Sequence, residues 1–288
     1  MHILQPGLIL FFFLFHTPIS AQMSPPTAGA IIQQIQEQLT CDWDTKTVDT
    51  YKGGSAEMEV TGIATTFLAT LEVLKQAKAQ GLNLIITHEP TFYNHLDETE
   101  QFGDDKVIAA KQQYIKDNQL IVWRFHDHWH RTEPDGIYRG VVKKLGWEPY
   151  ETSRRPYLYT LPKMTLSQLV SELKERFPVS TIRVVGDPEM TFTNASLVLG
   201  SPGYLRQIER LQRDDVEVMI GGETHEWETV EYVRDAVNMG KKKALVLIGH
   251  ANSEEAGMDY CADWLKTFIQ DVPVMFIPAG DPFWSAGK

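Results

Sequence analysis

Cysteine is scarce in this sequence, with only Cys41 and Cys261 among 288 residues. Two thiols so far apart do not form the kind of disulfide framework that stabilises small secreted proteins. Neither lies near the histidines described below, so the sequence also argues against a structural zinc site built from cysteine. We expect two buried free thiols, and a single bridge between them is left open.

Positive charge is also scarce. The chain has 27 Lys and Arg residues against 38 Asp and Glu residues, which gives a formal net charge of −11. No predicted helix face carries a basic cluster. Nucleic-acid binding needs concentrated positive charge, so we expect no nucleic-acid partner. The apolar content of 43% and the charged content of 23% are typical of a soluble globular protein.

Long apolar runs are absent apart from one at the N-terminus. Residues 8–15 are all apolar, but this run is too short to span a bilayer. Ile19-Ser20-Ala21 follows as a small-residue cleavage site, so residues 1–21 are predicted to be a secretory signal peptide, although no Lys or Arg precedes the run. We expect a periplasmic or secreted protein with no membrane association after cleavage. An uncleaved anchor is the alternative.

The rest of the chain alternates between helical and strand-like patterns, which predicts an α/β fold. We expect a first α/β half over residues 22–150 and a second, related half over 191–288. Residues 151–190 are predicted to form a small α+β insert between them. The two halves are expected to form one metal-binding unit. Local boundaries include a strand over 60–64, capping threonines at Thr65 and Thr66, and a helix over 67–80.

The two halves share a repeated pattern. Thr87-His88-Glu89 follows one apolar run, and Thr224-His225-Glu226 follows another. In each half a second apolar run then ends near a histidine, His126 or His250. Functional residues of α/β folds gather where strands end, so these side chains are candidates for one shared site.

Histidine and carboxylate together suit Zn, Fe or Mn. A lone histidine at a strand end more often has a capping role, but so many ligand-capable residues together favour metal. They are too many for one tetrahedral ion, and they predict two divalent ions that share a bridging carboxylate, about 3.5–4 Å apart. Glu254 is the candidate bridge. The predicted ligands are His88, Glu89, His126, His130, His250 and Glu254.

Other residues near these motifs have more ordinary interpretations. His95 is expected in a solvated loop, and His128 is expected to point away from the site. Trp129, Tyr138 and Trp227 either line a pocket or pack in the core. Residues 200–203 (Gly-Ser-Pro-Gly) could bind an anion, but a plain turn is the simpler interpretation.

Five motifs in order carry a resemblance to a known family. They are Cys41-Asp42-Trp43-Asp44, Thr87-His88-Glu89-Pro90, Arg183-Val184-Val185-Gly186-Asp187-Pro188, Gly249-His250 with Glu254, and Gly280-Asp281-Pro282-Phe283. Over about residues 30–285 the chain resembles the NIF-three-like family of hexameric dinuclear-metal-centre proteins, also called GTP cyclohydrolase 1 type 2. The resemblance implies two similar α/β domains and a ring-shaped homohexamer.

The resemblance also bears on the ligands. The family's first motif usually has two adjacent histidines; here His88 matches the first and Glu89 stands in place of the second. The next motif is a histidine with an aspartate four residues later; here His126 matches and His130 replaces the aspartate. The last motif is intact as His250 and Glu254. The two exchanges keep ligand number and charge but change the donor types, which bears on metal identity.

Two functions fit this sequence. The first is a metal-dependent hydrolase that acts on a small-molecule substrate, with metal-activated water and with Glu89 or Glu226 as general base. The second is a non-catalytic metal-binding ring for storage, scavenging or scaffolding. A carboxylate left over after the ligands are counted would favour the enzyme, and the sequence does not decide this. Alternatively, Glu226 contacts the metal ligands without binding the metal itself.

Overall fold

The computed structural model describes residues 24–154 and 156–284. The predicted signal peptide, residues 1–21, lies outside this range. The described chain forms two mixed sheets with helices packed on them, so the α/β prediction is confirmed.

The first sheet is built mainly from the first part of the chain. Its strand order is β1-β4-β3-β2-β11; β1 is antiparallel to β4, and the other neighbouring strands are parallel. The elements up to residue 145 are α1 (Ala28–Gln38), β1 (Tyr51–Gly53), β2 (Ile63–Thr66), α2 (Leu71–Ala79), β3 (Leu84–Thr87), α3 (Lys106–Asp117), β4 (Ile121–Arg124), α4 (Asp127–Arg131) and α5 (Gly136–Leu145).

The second sheet has the order β5-β6-β8-β9-β10-β7. Strands β8, β9 and β10 are parallel, and β5, β6 and β7 join them in antiparallel pairs. The helices and strands after residue 150 are β5 (Glu151–Ser153), β6 (Leu158–Thr165), α6 (Leu166–Arg176), β7 (Arg183–Val185), β8 (Thr191–Val198), α7 (Tyr204–Gln212), β9 (Val218–Gly221), α8 (Glu231–Asn238), β10 (Ala244–Leu247), α9 (His250–Leu265) and β11 (Val274–Phe276).

The chain crosses between the two sheets in two places. The first crossing lies between β4 and β5, because β5, β6 and β7 of residues 151–190 are all part of the second sheet. At the other end, β11 leaves the second half and pairs with β2 of the first sheet, with Val274 opposite Ile63. Helix α9 therefore runs between a strand of the second sheet and a strand of the first.

The start of α2 differs from the sequence prediction. Thr65 and Thr66 are not caps but the last two residues of β2, where β-branched side chains pack well. The Thr65 hydroxyl donates to the carbonyl of Met258 in α9, at 2.8 Å. Thr70 caps α2 instead, with its side chain accepting from the amide of Val73. The strand thus begins three residues and ends two residues later than predicted, and Thr65 connects its end to α9.

Helices α5 and α9 cross at very short distance, because glycines lie at the crossing point. A Cβ atom on Gly140 would lie 2.2 Å from the carbonyl oxygen of Ala256. One on Gly257 would lie 2.4 Å from the Cα of Ile137. The absence of side chains at both positions lets α9 pack closely against α5 of the first half.

The described residues contain no helix that is long and apolar enough to cross a membrane. Cys41 and Cys261 are both free thiols; Cys41 is half-buried and Cys261 is fully buried. Burial raises the pKa of the Cys261 thiol, so it stays protonated and packs as a small apolar side chain.

Candidate metal centre

The carboxyl ends of three strands bring the candidate ligands together: β3 and β4 of the first sheet and β10 of the second. His88 and Glu89 follow β3 directly. His126 lies between β4 and α4, and His130 is in the last turn of α4. The third group starts α9 just after β10, where His250 is the first helical residue; Glu254 lies one turn further on, on the same face. Because α9 packs against the first half, residues of both sheets contribute to one cluster.

His88 is the most deeply buried member of this cluster, with no exposed surface. Its Nδ1 lies 3.2 Å from the carbonyl oxygen of Phe125, which can only accept, so Nδ1 carries the proton. Among the described residues, none hydrogen-bonds Nε2. Burial and the nearby rings of His126 and His130 hold the pKa of His88 well below its usual value. His88 therefore presents a buried nitrogen lone pair without a partner.

His126 and His130 are both oriented by neighbouring carboxylates. His126 Nδ1 lies 2.9 Å from Asp127 Oδ1, and His130 Nδ1 lies 3.1 Å from Asp135 Oδ2. Burial alone would lower the pKa of His130, but Asp135 and two cluster glutamates outweigh burial and raise it to about 9. A carboxylate on the outer ring nitrogen is a common support for metal-binding histidines, because it fixes the ring and its tautomer.

The ring nitrogens of His250 lie close to three carboxylates. Its Nε2 lies 3.0 Å from Glu254 Oε2 and 3.4 Å from Glu89 Oε1, while Nδ1 lies 3.2 Å from Glu223 Oε1. Burial opposes protonation, but these carboxylates together raise the pKa of His250 to about 12. His250 in turn lowers the pKa of Glu89 to about 2, against the opposing effect of burial. The cluster thus concentrates negative charge that attracts a cation.

Two overlapping groups satisfy the spacing of a metal site. His88, His126 and His130 offer ligand atoms within 4.8 Å of one another, and so do His88, Glu89 and Glu254. Imidazole and carboxylate donors are those that bind Zn, Fe or Mn. Together with the unsatisfied His88 Nε2, this donor set shows that the cluster could hold a metal ion.

Residues 29–282 match the model of Duf34/NIF3 (NGG1p interacting factor 3). The chain belongs to this family. It is 24% identical over 243 residues to a protein of Clostridium perfringens called GTP cyclohydrolase 1 type 2 homolog, covering 80% of this chain and 88% of that protein. A Clostridium acetobutylicum protein of the same name is 25% identical over 212 residues, covering 70% and 75% of the two chains.

Solved structures show the same fold as this NIF3-family chain. A Bacillus cereus protein related to NIF3 superposes with a TM-score of 0.73 at 14% identity, covering 92% of this chain and all of that one. A hypothetical protein of Staphylococcus aureus superposes with a TM-score of 0.68 at 15% identity, covering 91% of this chain and all of that one. The family resemblance inferred from the sequence is therefore confirmed, and so is the two-sheet α/β architecture.

The glycine turns of this NIF3-family chain make room for Glu254. A Cβ atom on Gly200 would lie 2.2 Å from Glu254 Oε1, and one on Gly222 would lie 2.6 Å from Ser253 Oγ. Gly200 also has a positive φ of 66° and donates its amide to Ser253 Oγ. Residues 200–203 thus form a bend and an irregular segment that leads into α7, and Gly200 gives space to a candidate ligand.

Glu226, the second predicted base, is not brought to the cluster. Its side chain is 76% exposed and pairs with Arg183 at 3.0 Å. The neighbouring His225 is also exposed and pairs with Glu228 at 3.3 Å. Both residues lie at the start of a π-helical turn, Glu226–Val230, that directs them outward. The second Thr-His-Glu triplet therefore does not repeat the geometry of the first.

Glu223 is the cluster residue that the sequence analysis missed. Its position carried a signal: counted from the end of β9, Glu223 is the second residue after the strand, as Glu89 is after β3. Its carboxylate accepts from His250, which lowers the pKa of Glu223. Matching the two strands by their ends rather than by the repeated triplet would have found it.

His128 is buried but lies outside the cluster, as expected. Its Nδ1 bonds Asp49 at 2.7 Å, its Nε2 accepts from the amide of Asp44 at 2.8 Å, and its ring stacks on Trp43. Both ring nitrogens are therefore used in the fold. Of the remaining side chains, His95 is exposed, Trp129 is a core residue and Trp227 is 74% exposed.

The cluster opens into a large cavity of about 1250 Å³. Tyr138 lines its wall, where its ring stacks on that of Tyr157 at 3.6 Å between centroids. The Tyr157 hydroxyl donates to Asp135, the carboxylate that orients His130. The cavity is large enough for a small molecule. Tyr157 on its wall is connected through Asp135 to the candidate ligand His130.

Proposed function

We propose that this chain is a metal-dependent hydrolase that holds two divalent ions between its two sheets. The observation that carries this proposal is the buried His88 Nε2, which lies without a hydrogen-bond partner in the described structure among three further histidines and three glutamates. When bound, the ions would supply the Lewis acidity that activates a water molecule and polarises a substrate bond.

The proposed ligands are His88, His130, His250 and Glu254, with Glu254 bridging. Glu254 suits the bridge because it lies within reach of two histidines from different sheets, 3.0 Å from His250 Nε2 and 3.7 Å from His88 Nε2. Glu89 is a further ligand or lies directly beside the ions. His126 is kept as a further, weaker ligand candidate; it lies in one possible metal group with His88 and His130, and its Nε2 is 3.6 Å from Glu89 Oε1.

Glu89 and Glu223 are the proposed proton acceptors. Both carboxylates line the cavity and both contact His250. The Glu223 side chain is about half exposed, so it is open to a substrate or to water, whereas the Glu89 side chain is mostly buried. Glu223 replaces Glu226 as the second candidate, because Glu226 is paired with Arg183 at the surface. A carboxylate that is not a ligand would then act as general base.

Metal analysis and a substrate screen test this function. The protein would be purified without added metal, its metal content measured, and hydrolysis of phosphoester, amide and nucleotide substrates followed before and after metal removal. We expect about two ions of Zn, Fe or Mn per chain and an activity that chelation abolishes. A metal-loaded protein with no hydrolytic activity would favour the non-catalytic ring, and only trace metal would exclude both functions.

Two further proposals come from the sequence. We propose that residues 1–21 direct export, so that the mature chain begins near Gln22; mass spectrometry of the native protein would find this N-terminus, and an intact Met1 in the cytoplasm would contradict it. We also propose a homohexamer, by analogy with the family that the sequence resembles. Light scattering at micromolar concentration tests the assembly, and a monomer mass would contradict it.

A further inference from the structure

A second polar cluster lies beside Glu89 and contains none of the proposed metal ligands. Lys111 of α3 is 5% exposed, yet it lines the same cavity as the candidate metal centre. Its Nζ donates to the carbonyl of Thr91 at 2.6 Å and lies over the rings of Phe92 and Tyr93. The amine is thus held at the cavity wall by Thr91, which is two residues beyond Glu89 along the chain.

Positive charge exceeds negative charge around this lysine. Asp97 Oδ2 pairs with Lys52 Nζ at 3.2 Å and with Arg124 NH1 at 3.8 Å. Burial lowers the pKa of Lys111, and Asp97 partly offsets this effect. Two cations therefore pair with one carboxylate that is not among the proposed ligands, and Lys111 is a third cation whose charge this carboxylate favours. In a chain with a net charge of −11, this is a local reversal of sign.

Two donors in this cluster lack partners in the described parts of the chain. Thr91 Oγ1 is buried and unsatisfied, although Thr91 lines the cavity. Arg124 NH2 is also buried and unsatisfied, and it lies 3.6 Å from Glu89 Oε2, outside hydrogen-bond distance. Buried donors normally have partners, so these unmade bonds indicate a group that is missing from the protein itself.

The donors are held rigidly enough to form a binding site. Arg124 is fully buried and donates Nε to the carbonyl of His88, while its NH1 donates to the carbonyl of His95. Asp97 accepts the amide of Phe92 at 2.7 Å, which fixes the loop that carries Thr91. The cluster is therefore set by backbone contacts before any ligand arrives.

We propose that the cavity wall at Lys111 and Thr91 binds an anionic oxygen group of the substrate, a carboxylate or a phosphoryl group, while the bond to be cleaved lies at the metal centre. Such a group would accept from Lys111 Nζ and Thr91 Oγ1, and the guanidinium of Arg124 behind them adds favourable charge. The group would thereby bind two donors, Lys111 Nζ and Thr91 Oγ1, whose hydrogen-bonding capacity is not fully satisfied in the described structure. The proposal rests on the proposed function only for the statement that the anion belongs to a substrate.

Calorimetric titration of the full chain with inorganic phosphate tests the anion site directly. Both the metal-loaded and the metal-stripped protein are titrated, with acetate in a parallel arm to distinguish phosphoryl from carboxylate binding. The variants are Lys111→Gln, Thr91→Val and Lys111→Arg. Lys116→Gln is the control, because Lys116 is an exposed lysine of the same helix.

We expect phosphate or acetate to bind the metal-stripped protein, with affinity about tenfold or more weaker in Lys111→Gln and a smaller loss in Thr91→Val. Lys111→Arg should keep most of the affinity, and Lys116→Gln all of it, while metal content stays unchanged throughout. The proposal is overturned if neither anion binds the metal-stripped protein, or if Lys111→Gln and Thr91→Val both bind the anion as tightly as the wild type. Thr91→Val decides the outcome if Lys111→Gln does not fold. Anion binding without hydrolysis would leave this site standing while the hydrolase proposal fails.

Discussion

Glu89 and Glu223 occupy equivalent positions in the two sheets and contact the two ring nitrogens of the same histidine. Each is the second residue after its strand, β3 or β9. Glu89 Oε1 lies 3.4 Å from His250 Nε2, and Glu223 Oε1 lies 3.2 Å from His250 Nδ1. Each half of the chain therefore places a carboxylate against His250. Four predictions concern this centre and the elements that support it.

Replacing Glu254 by glutamine should remove most of the bound metal. The amide keeps the shape of the side chain, but it cannot bridge two ions with two anionic oxygens. We expect metal content to fall from about two ions per chain toward zero in Glu254→Gln, whereas His130→Ala should lose mainly one ion. Elemental analysis after dialysis against metal-free buffer measures both. Two ions per chain in Glu254→Gln would show that Glu254 is not the bridge.

Glu223→Gln should weaken metal binding without abolishing it. Glu223 holds His250 through Nδ1, and loss of such a supporting carboxylate typically costs about 10–100-fold in metal affinity. Glu226→Gln is the matched control, because it makes the same change in the same loop at a surface position. Metal affinity measured by competition with a chelating dye should separate the two variants. Equal affinities would mean that Glu223 does not support the centre.

The buried Lys111 should give the free energy of unfolding a distinct pH dependence. Burial lowers the pKa of Lys111 to about 8 in the folded protein, against about 10.5 when unfolded. Between these values the unfolded state binds the proton more readily, so the stability of the folded state rises with pH, and below pH 8 the full cost is present. The shift corresponds to about 3 kcal/mol over this range.

Lys111→Met isolates this effect, because other titrating groups are common to both proteins. Relative to Lys111→Met, the wild-type free energy of unfolding should rise by about 1 kcal/mol per pH unit from pH 8 to pH 10. Urea unfolding at a series of pH values measures the difference. Parallel pH profiles for the two proteins would show that Lys111 keeps an ordinary pKa in the fold.

Gly140→Ala should disturb the metal centre from a distance. The added methyl group would meet the carbonyl of Ala256 and push α9 away from α5. Overpacking of this kind typically costs about 1–3 kcal/mol. Because α9 begins with His250 and carries Glu254, metal content should fall as well. Lys143→Ala, at an exposed position of α5, should change the melting temperature little. An unchanged melting temperature in Gly140→Ala would contradict the tight crossing.

The sequence was most informative where a local pattern ends in a chemical group. Buried apolar runs predicted strands β3, β4 and β10, and the histidines after them lie in the cluster. His128 could be set apart from His126 and His130, because residues two apart on a helix do not share a face, whereas residues four apart do. These conclusions depend only on short stretches of chain.

The parts that could not be predicted depend on distant contacts. The triplet at Thr224 suggested His225 and Glu226, but the backbone after β9 turns earlier and places Glu223 at the centre. Likewise, nothing in residues 274–276 indicates that they pair with β2 rather than with a strand of the second half. Such pairings follow from the packing of whole helices and sheets, which no single stretch encodes.

The return of β11 to the first sheet also leads us to expect an order of folding. Its partner strand β2 lies roughly 200 residues earlier, so closing this contact costs considerable chain entropy and belongs to a late step. Helix α9 is held in place by that same closure, at Thr65 and at the glycine crossing with α5. We therefore expect the metal centre to be completed late in folding, because His250 and Glu254 reach the other ligands only after α9 has docked.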